Sequence, residues 1–536
     1  MKNLIHSVKW IILSVFLFIV SASCRQPGKD DSQSKMPIHP NVLFIIVDDL
    51  NDYPGPFKGH PLVKTPNIDK LAAAGVKFIN AHSNYPVCCP SRNSLFTGVY
   101  PHVSKDFGWT KHWEQPVLKN NKTLFEYFRE NGYYVMGSGK LLHHNRKQYW
   151  DEWGVDINNY GPFAFNGKKV VGHPSVPEPF RSIGVLDGSF APLSDVPTFP
   201  DSISGGNETG WVYSQDGKRF LHYIDDDHRD LMPDEMHAQW AVKRIREMDS
   251  VPLEKPFFMG VGFVRPHTPL YAPKKYYDMF PLDKLVLNPI LQGDIEDTHY
   301  QEVYPPSSKG LRAFRAIKAA YGGDAELGLK HFLQGYLACI AFVDDQIGKV
   351  VDALNHSRFK DNTIIIFTSD HGWQMGEKDY LFKNSPWEKS TRIPLIIKTP
   401  FTKPGGVVDH PVSLIDLYPT LKDLCGLKGD NRRNNGGGPL GGYSLKPFLE
   451  NPETKKWKGP DGSLTVVGIG KRSKEVLQQT WSLRTKEWRY VMYLDSMEEL
   501  YNEKKDPYEW HNLANDKKYA KKKETLRKEL YRMLHH

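Results

Sequence analysis

The sequence predicts an α/β protein with a large, mixed, mostly parallel sheet flanked by helices and a smaller antiparallel sheet toward the C-terminus. Three observations carry this. Two continuous apolar runs, residues 41–47 (Asn-Val-Leu-Phe-Ile-Ile-Val) and 363–369 (Thr-Ile-Ile-Ile-Phe-Thr-Ser), are rich in β-branched residues. Runs of that kind read as strands buried on both faces of a parallel sheet. Helical patterns alternate with strand candidates as far as residue 354, as in α/β folds. Beyond residue 460, three short strand candidates follow one another with no helix between them.

Taken in order, the N-terminus comes first: Lys2 and Lys9 precede the apolar run 11–20, and Ser21-Ala22-Ser23-Cys24 follows. A basic start, ten apolar residues and small residues read as an export signal over 1–23, too short to span a membrane. Residues 24–40 are polar, carry Lys29-Asp30-Asp31 and read as a tether. The strand 41–47 ends abruptly in Asp48-Asp49. Helical patterns cover 67–75 and 123–132, and a strand at 133–138 leads into Gly139-Lys140. Residues 146–229, rich in aromatics, Gly, Pro and Asp, are loop-like and too long for a mere connection, which suits the wall of a cleft. A helix at 233–248, a strand at 257–263 leading to Arg265-Pro266-His267, and a long helix at 327–354 precede the strand 363–369, which ends in Asp370-His371-Gly372. Acidic residues at the C-terminal ends of core strands lie where open α/β sheets bind ligands. The Gly-rich stretch 439–443 after the Arg/Asn-rich 431–435 marks a boundary, giving a main domain at 41–435 and a C-terminal subdomain at 436–536. In the latter, strands are expected at 465–469, 479–484 and 488–494, and a charged helix at 517–536.

With 536 residues, 40% hydrophobic and 25% charged, the chain is an ordinary globular protein long enough for more than one domain. Its five cysteines, Cys24, Cys88, Cys89, Cys339 and Cys425, are too few for a disulfide framework in an exported protein. The net charge of +8 leans toward anionic partners, although Lys517-Lys518 and Lys521-Lys522-Lys523 supply much of it from a solvated helix. Repeats, zinc-type Cys pairs, a phosphate-cradling glycine pattern and nucleic-acid modules are all missing from the sequence, so nucleic acid is not expected as a partner.

The most informative stretch is Cys88-Cys89-Pro90-Ser91-Arg92, followed by Thr97-Gly98 and Tyr100-Pro101-His102. Pro90 suits the first turn of a helix and Gly98 its end, so Cys88 falls at the positive N-terminal pole, which favours anions. Asp48, Asp49 and Asp370 offer hard oxygen ligands with His371 beside them. Mostly carboxylate coordination points to Ca2+, with Mg2+ second, although a lone Asp-Asp pair is more often a cap or turn. The Cys-x-Pro-Ser-Arg run resembles the signature of the formylglycine-dependent sulfatases. The resemblance runs from Asn41 to about Leu513. It leans to the iduronate-2-sulfatase-like branch through Asp370-His371, Gly139-Lys140-Leu141-Leu142-His143 and Arg265-Pro266-His267, and Glu499-Leu500-Tyr501-Asn502, Asp506-Pro507-Tyr508-Glu509 and Asn512-Leu513 resemble its C-terminal subdomain.

That resemblance implies an alkaline-phosphatase-like sulfatase fold. It also implies conversion of Cys88 to formylglycine (3-oxoalanine) by a formylglycine-generating or sulfatase-maturating enzyme, the aldehyde hydrate being the nucleophile. By the same resemblance Asp48, Asp49, Asp370, His371 and the modified Cys88 hold the metal, and Lys140 binds sulfate. His143 takes the proton that lets sulfate leave, with His144 as the alternative, and His267 with Lys383 contacts sulfate and protonates the leaving alcohol. Arg92, one helical turn beyond Cys88, is expected to secure the hydrate. Cys24 resembles a lipobox cysteine, although Ser21 departs from the pattern and ordinary secretion is the alternative; the implied location is the outer membrane, on its periplasmic or cell-surface face. Gly376-Glu377-Lys378 departs from the branch at its third place, which bears on substrate subsites. The expected substrates are sulfate esters on oligosaccharides of sulfated polysaccharides, either ulvan-type or glycosaminoglycan with 2-O-sulfated uronate. His102, Lys105, Trp109, Lys111, His112 and Trp113 form either a basic, aromatic sugar subsite or an ordinary amphipathic loop. Two other readings stand: a phosphonate monoester or phosphodiester hydrolase of the same superfamily, and a catalytically decayed glycan-binding lipoprotein, against which every expected site position is filled.

Overall fold

Eight strands form the central sheet of the computed structural model, in the order Gly406–Val408, Val76–Phe78, Leu395–Lys398, Thr363–Ser369, Asn41–Val47, Phe257–Phe263, Tyr134–Gly139 and Glu152–Trp153. The middle strands pair in parallel, while Leu395–Lys398 runs antiparallel to both its neighbours. The expected mixed, mostly parallel sheet is therefore present, and the strands anticipated at 41–47, 257–263 and 363–369 have those bounds. Every residue of these three is buried, because helices cover both faces of the sheet. The long helix Ala325–Asn355 presents Leu333, Leu337, Ile340 and Ile347 to the core, and Pro233–Ser250 packs beside it.

The structure describes residues 39–251, 253–468 and 473–535. The expected signal, most of the tether and the lipidation candidate Cys24 lie outside the described residues. Among those described, no helix is long and apolar enough to cross a membrane.

The stretch 146–229 departs from its loop-like expectation. It holds a small antiparallel sheet of Phe220–Leu221, Gly210–Val212, Phe163–Phe165 and Val170–Val171, while Phe190–Pro192 pairs with Leu270–Ala272. Its aromatics make a core: Phe163, Phe165 and Val212 cluster together, and the buried Trp211 donates to Leu193 O at 2.9 Å. Strands of two or three residues leave too little alternation for the sequence to reveal them.

At the C-terminus, Gly462–Val467, Thr480–Thr485, Trp488–Met492 and Glu498–Asn502 form a four-stranded antiparallel sheet covered by the helix Ala520–Leu534. The fourth strand, Glu498–Asn502, takes in the Glu499-Leu500-Tyr501-Asn502 motif. This sheet shares its core with Tyr85, Val87 and Phe107, residues flanking the Cys88 helix. The Gly-rich stretch before it is packed as well, since Gly441 N donates to Gly98 O at 2.7 Å. A buried ionic seam joins the sheet to the rest of the fold. The Arg489 guanidinium bonds Glu388, Glu509, Ser482 Oγ and Pro386 O, and Arg484 Nε meets Glu388 at 3.0 Å and Glu503 at 3.3 Å. Arg392 completes the seam, 3.8 Å from Glu388 and 3.2 Å from Asp52.

Candidate active site

The register of the central sheet brings the chemistry to one edge. Val47 is level with Ser369 on one side and Phe263 on the other, and Gly262 is level with Gly139. Four adjacent strands thus end together, and the residues that follow are Asp48-Asp49, Asp370-His371, Lys140 and, after a short turn, His267. The turn into Lys140 needs glycine: Gly139 has φ +81°, and a Cβ there would lie 2.0 Å from Gly262 O. Asp49 takes the left-handed region at φ 61°, uncommon for a residue with a side chain. It is held there because Asp49 N donates to Asp370 Oδ1 at 3.2 Å and Tyr336 Oη donates to Asp49 O at 2.7 Å.

Above this edge the helix Cys88–Thr97 points its N-terminus at the carboxylates, and all ten of its residues are buried. It ends as expected at Gly98, whose φ is +67° and whose N–H bonds Ser94 O. Lys383 Nζ lies 3.1 Å and His371 Nε2 3.3 Å from Cys88 Sγ, with Asp49 Oδ1 at 4.0 Å. Burial pushes the Cys88 thiol up, so it sits there as a thiol rather than a ready thiolate.

Arg92 is on the same helical face as Cys88, but its guanidinium is committed elsewhere. Nε donates to Asp370 Oδ2 at 2.8 Å and Nη2 to Asp48 Oδ1 at 3.3 Å, while Nη1 donates to the carbonyls of Lys140 and Leu141. Its fork laces three strand ends together, within electrostatic reach of residue 88. Lys140 bonds Asp48 Oδ2 and lies over the Tyr160 ring at 4.7 Å. Lys383 Nζ bonds Asp49 Oδ1 at 2.6 Å. His267 Nε2 is 3.7 Å from Asp49 Oδ2 and 4.0 Å from Asp48 Oδ2, and its Nδ1 meets Thr268 O at 2.5 Å.

The charges tune one another. Burial alone would raise Asp48, yet Lys140, His267 and Arg92 hold its carboxyl well below the usual range. For Asp49 burial outweighs Lys383 and His371, and its carboxyl is pushed up to about 8. Burial would lower Lys140 and Lys383, but the carboxylates and Cys88 beside them keep both ammonium groups above their ordinary values. Burial together with Lys383 drives His267 well below the ordinary imidazole value.

Two overlapping groups could hold a metal ion, Asp48–Cys88–Asp370–His371 and Asp48–Asp49–Cys88–His267, the ligand atoms within each lying within 4.8 Å of one another. Asp49 Oδ2 is buried with no hydrogen-bond partner. An unsatisfied buried carboxylate oxygen beside two further carboxylates fits a hard divalent cation.

The two histidine candidates separate. His143 feels Lys140, Asp48 and Arg92, and burial with Lys140 pushes it down to about 3; its Nδ1 is buried and unpartnered. His144 turns to Cys89, with Nδ1 3.7 Å from Sγ. The expected sugar-subsite cluster divides too. His102 is buried against Tyr100 and Trp481, and His112 is buried with Nε2 2.7 Å from Tyr149 Oη. Lys105 is exposed near Glu475, and Lys111 pairs with Glu114. Of the aromatics, Trp109 stands beside His143 at 4.8 Å. Lys378, where the sequence departs from its branch, is buried on Asp294 and Glu509 O and so belongs to the packing against the C-terminal sheet.

Sequence reasoning missed Tyr160, which touches both Lys140 and His267, the latter at 4.9 Å. It also missed Tyr336 and Asp234, the latter accepting from Val264 N and Arg265 N at 2.9 Å each. None sits in a local pattern; each is one contact made across a long sequence gap.

Residues 40–427 match the family described as Sulfatase, and residues 376–536 match that described as N-sulphoglucosamine sulphohydrolase, C-terminal. A "Sulfatase" of Formosa agariphila is 32% identical over 96% of this chain and 90% of its own length. The iduronate 2-sulfatase of Mus musculus is 26% identical over 91% and 93%, and an ulvan-active sulfatase of Formosa agariphila 25% over 99% and 87%. Among solved structures, a 2-O GAG sulfatase superposes with a TM-score of 0.63 at 21% identity, covering 92% of each chain. The phosphonate monoester hydrolase of Agrobacterium radiobacter does so with a TM-score of 0.64 at 25% identity, covering 92% of this chain and 95% of that one. A match over most of the chain, on the sheet whose edge gathers this cluster, makes the protein a member of the sulfatase family and a sulfuric ester hydrolase.

Proposed function

We propose that this chain removes sulfate from oligosaccharides of sulfated polysaccharides by a formylglycine mechanism. The observation that carries the reading is residue 88: a buried side chain at a helix N-terminus, touched by Lys383 and His371 and faced by three carboxylates. In the mature enzyme the Sγ position would be taken by an oxygen of the aldehyde hydrate, which supplies the nucleophile for sulfur. Asp48, Asp49, Asp370 and His371 would hold Ca2+, or Mg2+ in its place, and the ion would supply charge neutralisation at the sulfuryl oxygens. The remaining work falls to the side chains. Lys140 and Lys383, both held charged, attract the anionic sulfate ester group and orient it. Arg92 keeps Asp48, Asp370 and the Lys140 turn in one arrangement. Lys383, held charged, can hand a proton to the departing sugar oxygen, and His267, on the same side with Nδ1 turned to Thr268 O, lies beside it as its partner in that step. His143, kept neutral, can accept a proton near residue 88, and its orientation favours it over His144.

The names of the relatives support a saccharide substrate: one acts on iduronate 2-sulfate and another on ulvan. We therefore infer a sulfated uronate or ulvan-type sugar as substrate. The lipobox-like Cys24 supports export with a membrane anchor, and the Cys88 motif supports maturation by a partner enzyme. The test is the mass of the Cys88 peptide from the native host, with sulfate release from a panel of sulfated oligosaccharides. A loss of about 18 Da with sulfate release is expected; an unmodified Cys88 in protein that still releases sulfate would overturn the mechanism.

The likeness to a phosphonate monoester hydrolase favours a second reading in which the ester is phosphoryl. Comparing rates on an aryl sulfate and an aryl phosphonate monoester separates the two.

A further inference from the structure

Trp109 keeps 61% of its surface exposed although its loop is firmly held. Thr110 O accepts from Asn93 Nδ2 at 2.9 Å and from Cys89 Sγ at 3.4 Å, and Asn93 Nδ2 also reaches Asp106 Oδ2 at 2.8 Å. The loop is thus pinned to the same helix that carries Cys88. A fixed, exposed indole is costly in water and well suited to a ligand, because its position is settled before binding.

Its surroundings say what kind of ligand. On one side the indole meets His143 edge to face at 4.8 Å, three residues after Lys140, so it borders the site. From there the aromatic rim continues outward: His143 to His144 at 4.8 Å, and His144 to Trp113 at 6.3 Å. The Arg146 guanidinium lies over the Trp113 ring at 5.0 Å. Among the described residues, no carboxylate forms an ion pair with Arg146, whereas the nearby Lys111 is taken by Glu114. A flat indole face matches the C–H face of a sugar ring, and a planar guanidinium braced on an aromatic face matches a sulfate or carboxylate.

We propose that Trp109 is the platform for the saccharide unit next to the one bearing the scissile ester, and that Arg146 on Trp113 reads an anionic group, sulfate or carboxylate, on that neighbouring unit. The substrate is then an oligosaccharide charged on consecutive units. The proposal rests on the sulfatase reading for which ester is cleaved, but its binding is measurable by itself.

Two measurements test it. In turnover, kcat/KM is compared for an aryl sulfate and for a sulfated disaccharide with uronate beside the sulfated unit, in wild type, Trp109→Ala and Arg146→Gln. Trp109→Ala should lose about tenfold more on the disaccharide than on the aryl sulfate, chiefly in KM. Arg146→Gln should lose as much only when the neighbouring unit is charged, with Arg146→Lys recovering part. Equal losses on both substrates overturn the subsite. In binding, Cys88→Ala protein is titrated with the same disaccharide by calorimetry, with and without Trp109→Ala. A tenfold weaker Kd in the double variant is expected. An unchanged Kd, or no binding while wild type still turns over aryl sulfate, overturns the subsite and leaves the sulfatase reading standing. Binding that depends on Trp109 in a protein that cleaves no sulfate ester does the reverse.

Discussion

Two ionic clusters rich in buried acids and cations sit in this chain and are built for opposite ends. At the sheet edge Asp48, Asp49 and Asp370 face Arg92, Lys140 and Lys383; at the C-terminal seam Glu388, Glu503 and Glu509 face Arg392, Arg484 and Arg489. The seam's cations are arginine forks, of which Arg484 and Arg489 bond acceptors both in the C-terminal region and at Glu388, and such a network holds one geometry. The edge uses two lysines on flexible stems, two histidines and Cys88, and leaves Asp49 Oδ2 unpartnered. What distinguishes the site is the mix of single-point lysines, histidines and a cysteine around its carboxylates, against a seam of planar guanidinium forks; each cluster keeps one carboxylate oxygen without a hydrogen bond, Asp49 Oδ2 and Glu503 Oε1.

The sharpest way to break this contrast is at residue 88. Cys88→Ala should cut turnover by roughly four orders of magnitude while leaving the urea midpoint nearly unchanged, because the proposed covalent nucleophile is lost and no ion pair is. Arg489→Met should do the opposite. Leaving Glu509 without its ion pair in the interior, and Glu388 with one arginine fewer, costs about 3–5 kcal/mol, read as a lower urea midpoint, with kcat per folded molecule retained. If that variant lost turnover at full stability, the seam would be more than structural. Adding Ca2+ or Mg2+ to the Cys88→Ala protein should raise Tm, by the equivalent of about 2.7 kcal/mol at a hundredfold excess over Kd. Arg489→Met protein should show the same increment, and no shift with either cation would remove the metal from the edge.

The smallest effect concerns acid. Burial lowers His102 to about 4, between Tyr100 and Trp481 of the C-terminal sheet. A depressed histidine adds stability that is fully present above the unfolded value near 6.5 and lost as pH falls through about 4. Stability should fall by about 2 kcal/mol over that window, less than the full shift because the ring keeps some contact with water. His102→Phe should flatten the slope in pH-dependent denaturation followed by tryptophan fluorescence.

The edge cluster was largely legible in the sequence and the seam was not. Strands buried on both faces are continuous apolar runs, so Asp48 and Asp370 announce themselves where those runs stop. Pro90 and Gly98 bracket a helix within ten residues, which places Cys88 at its head. Arg489 and Glu388 are separated by about a hundred positions and carry no local pattern. The small sheet in 146–229 escaped because its strands are two or three residues long, and with it went Tyr160. Arg92 was legible as sharing a helix face with Cys88, whereas its carbonyl partners at Lys140 and Leu141 were not, since they come from a turn that only the folded sheet brings near.

The complete burial of the Cys88–Thr97 helix also sets a clock. An enzyme that must take Cys88 and its neighbours into its own cleft can do so only while the segment is still extended, before the sheet edge and the C-terminal strands close over it. Under the proposed conversion of Cys88, maturation and folding compete for the same chain, and a molecule that folds first is stable, correctly shaped and idle. Folded, unconverted protein given the maturation enzyme afterwards should stay inactive until it is unfolded and refolded in that enzyme's presence.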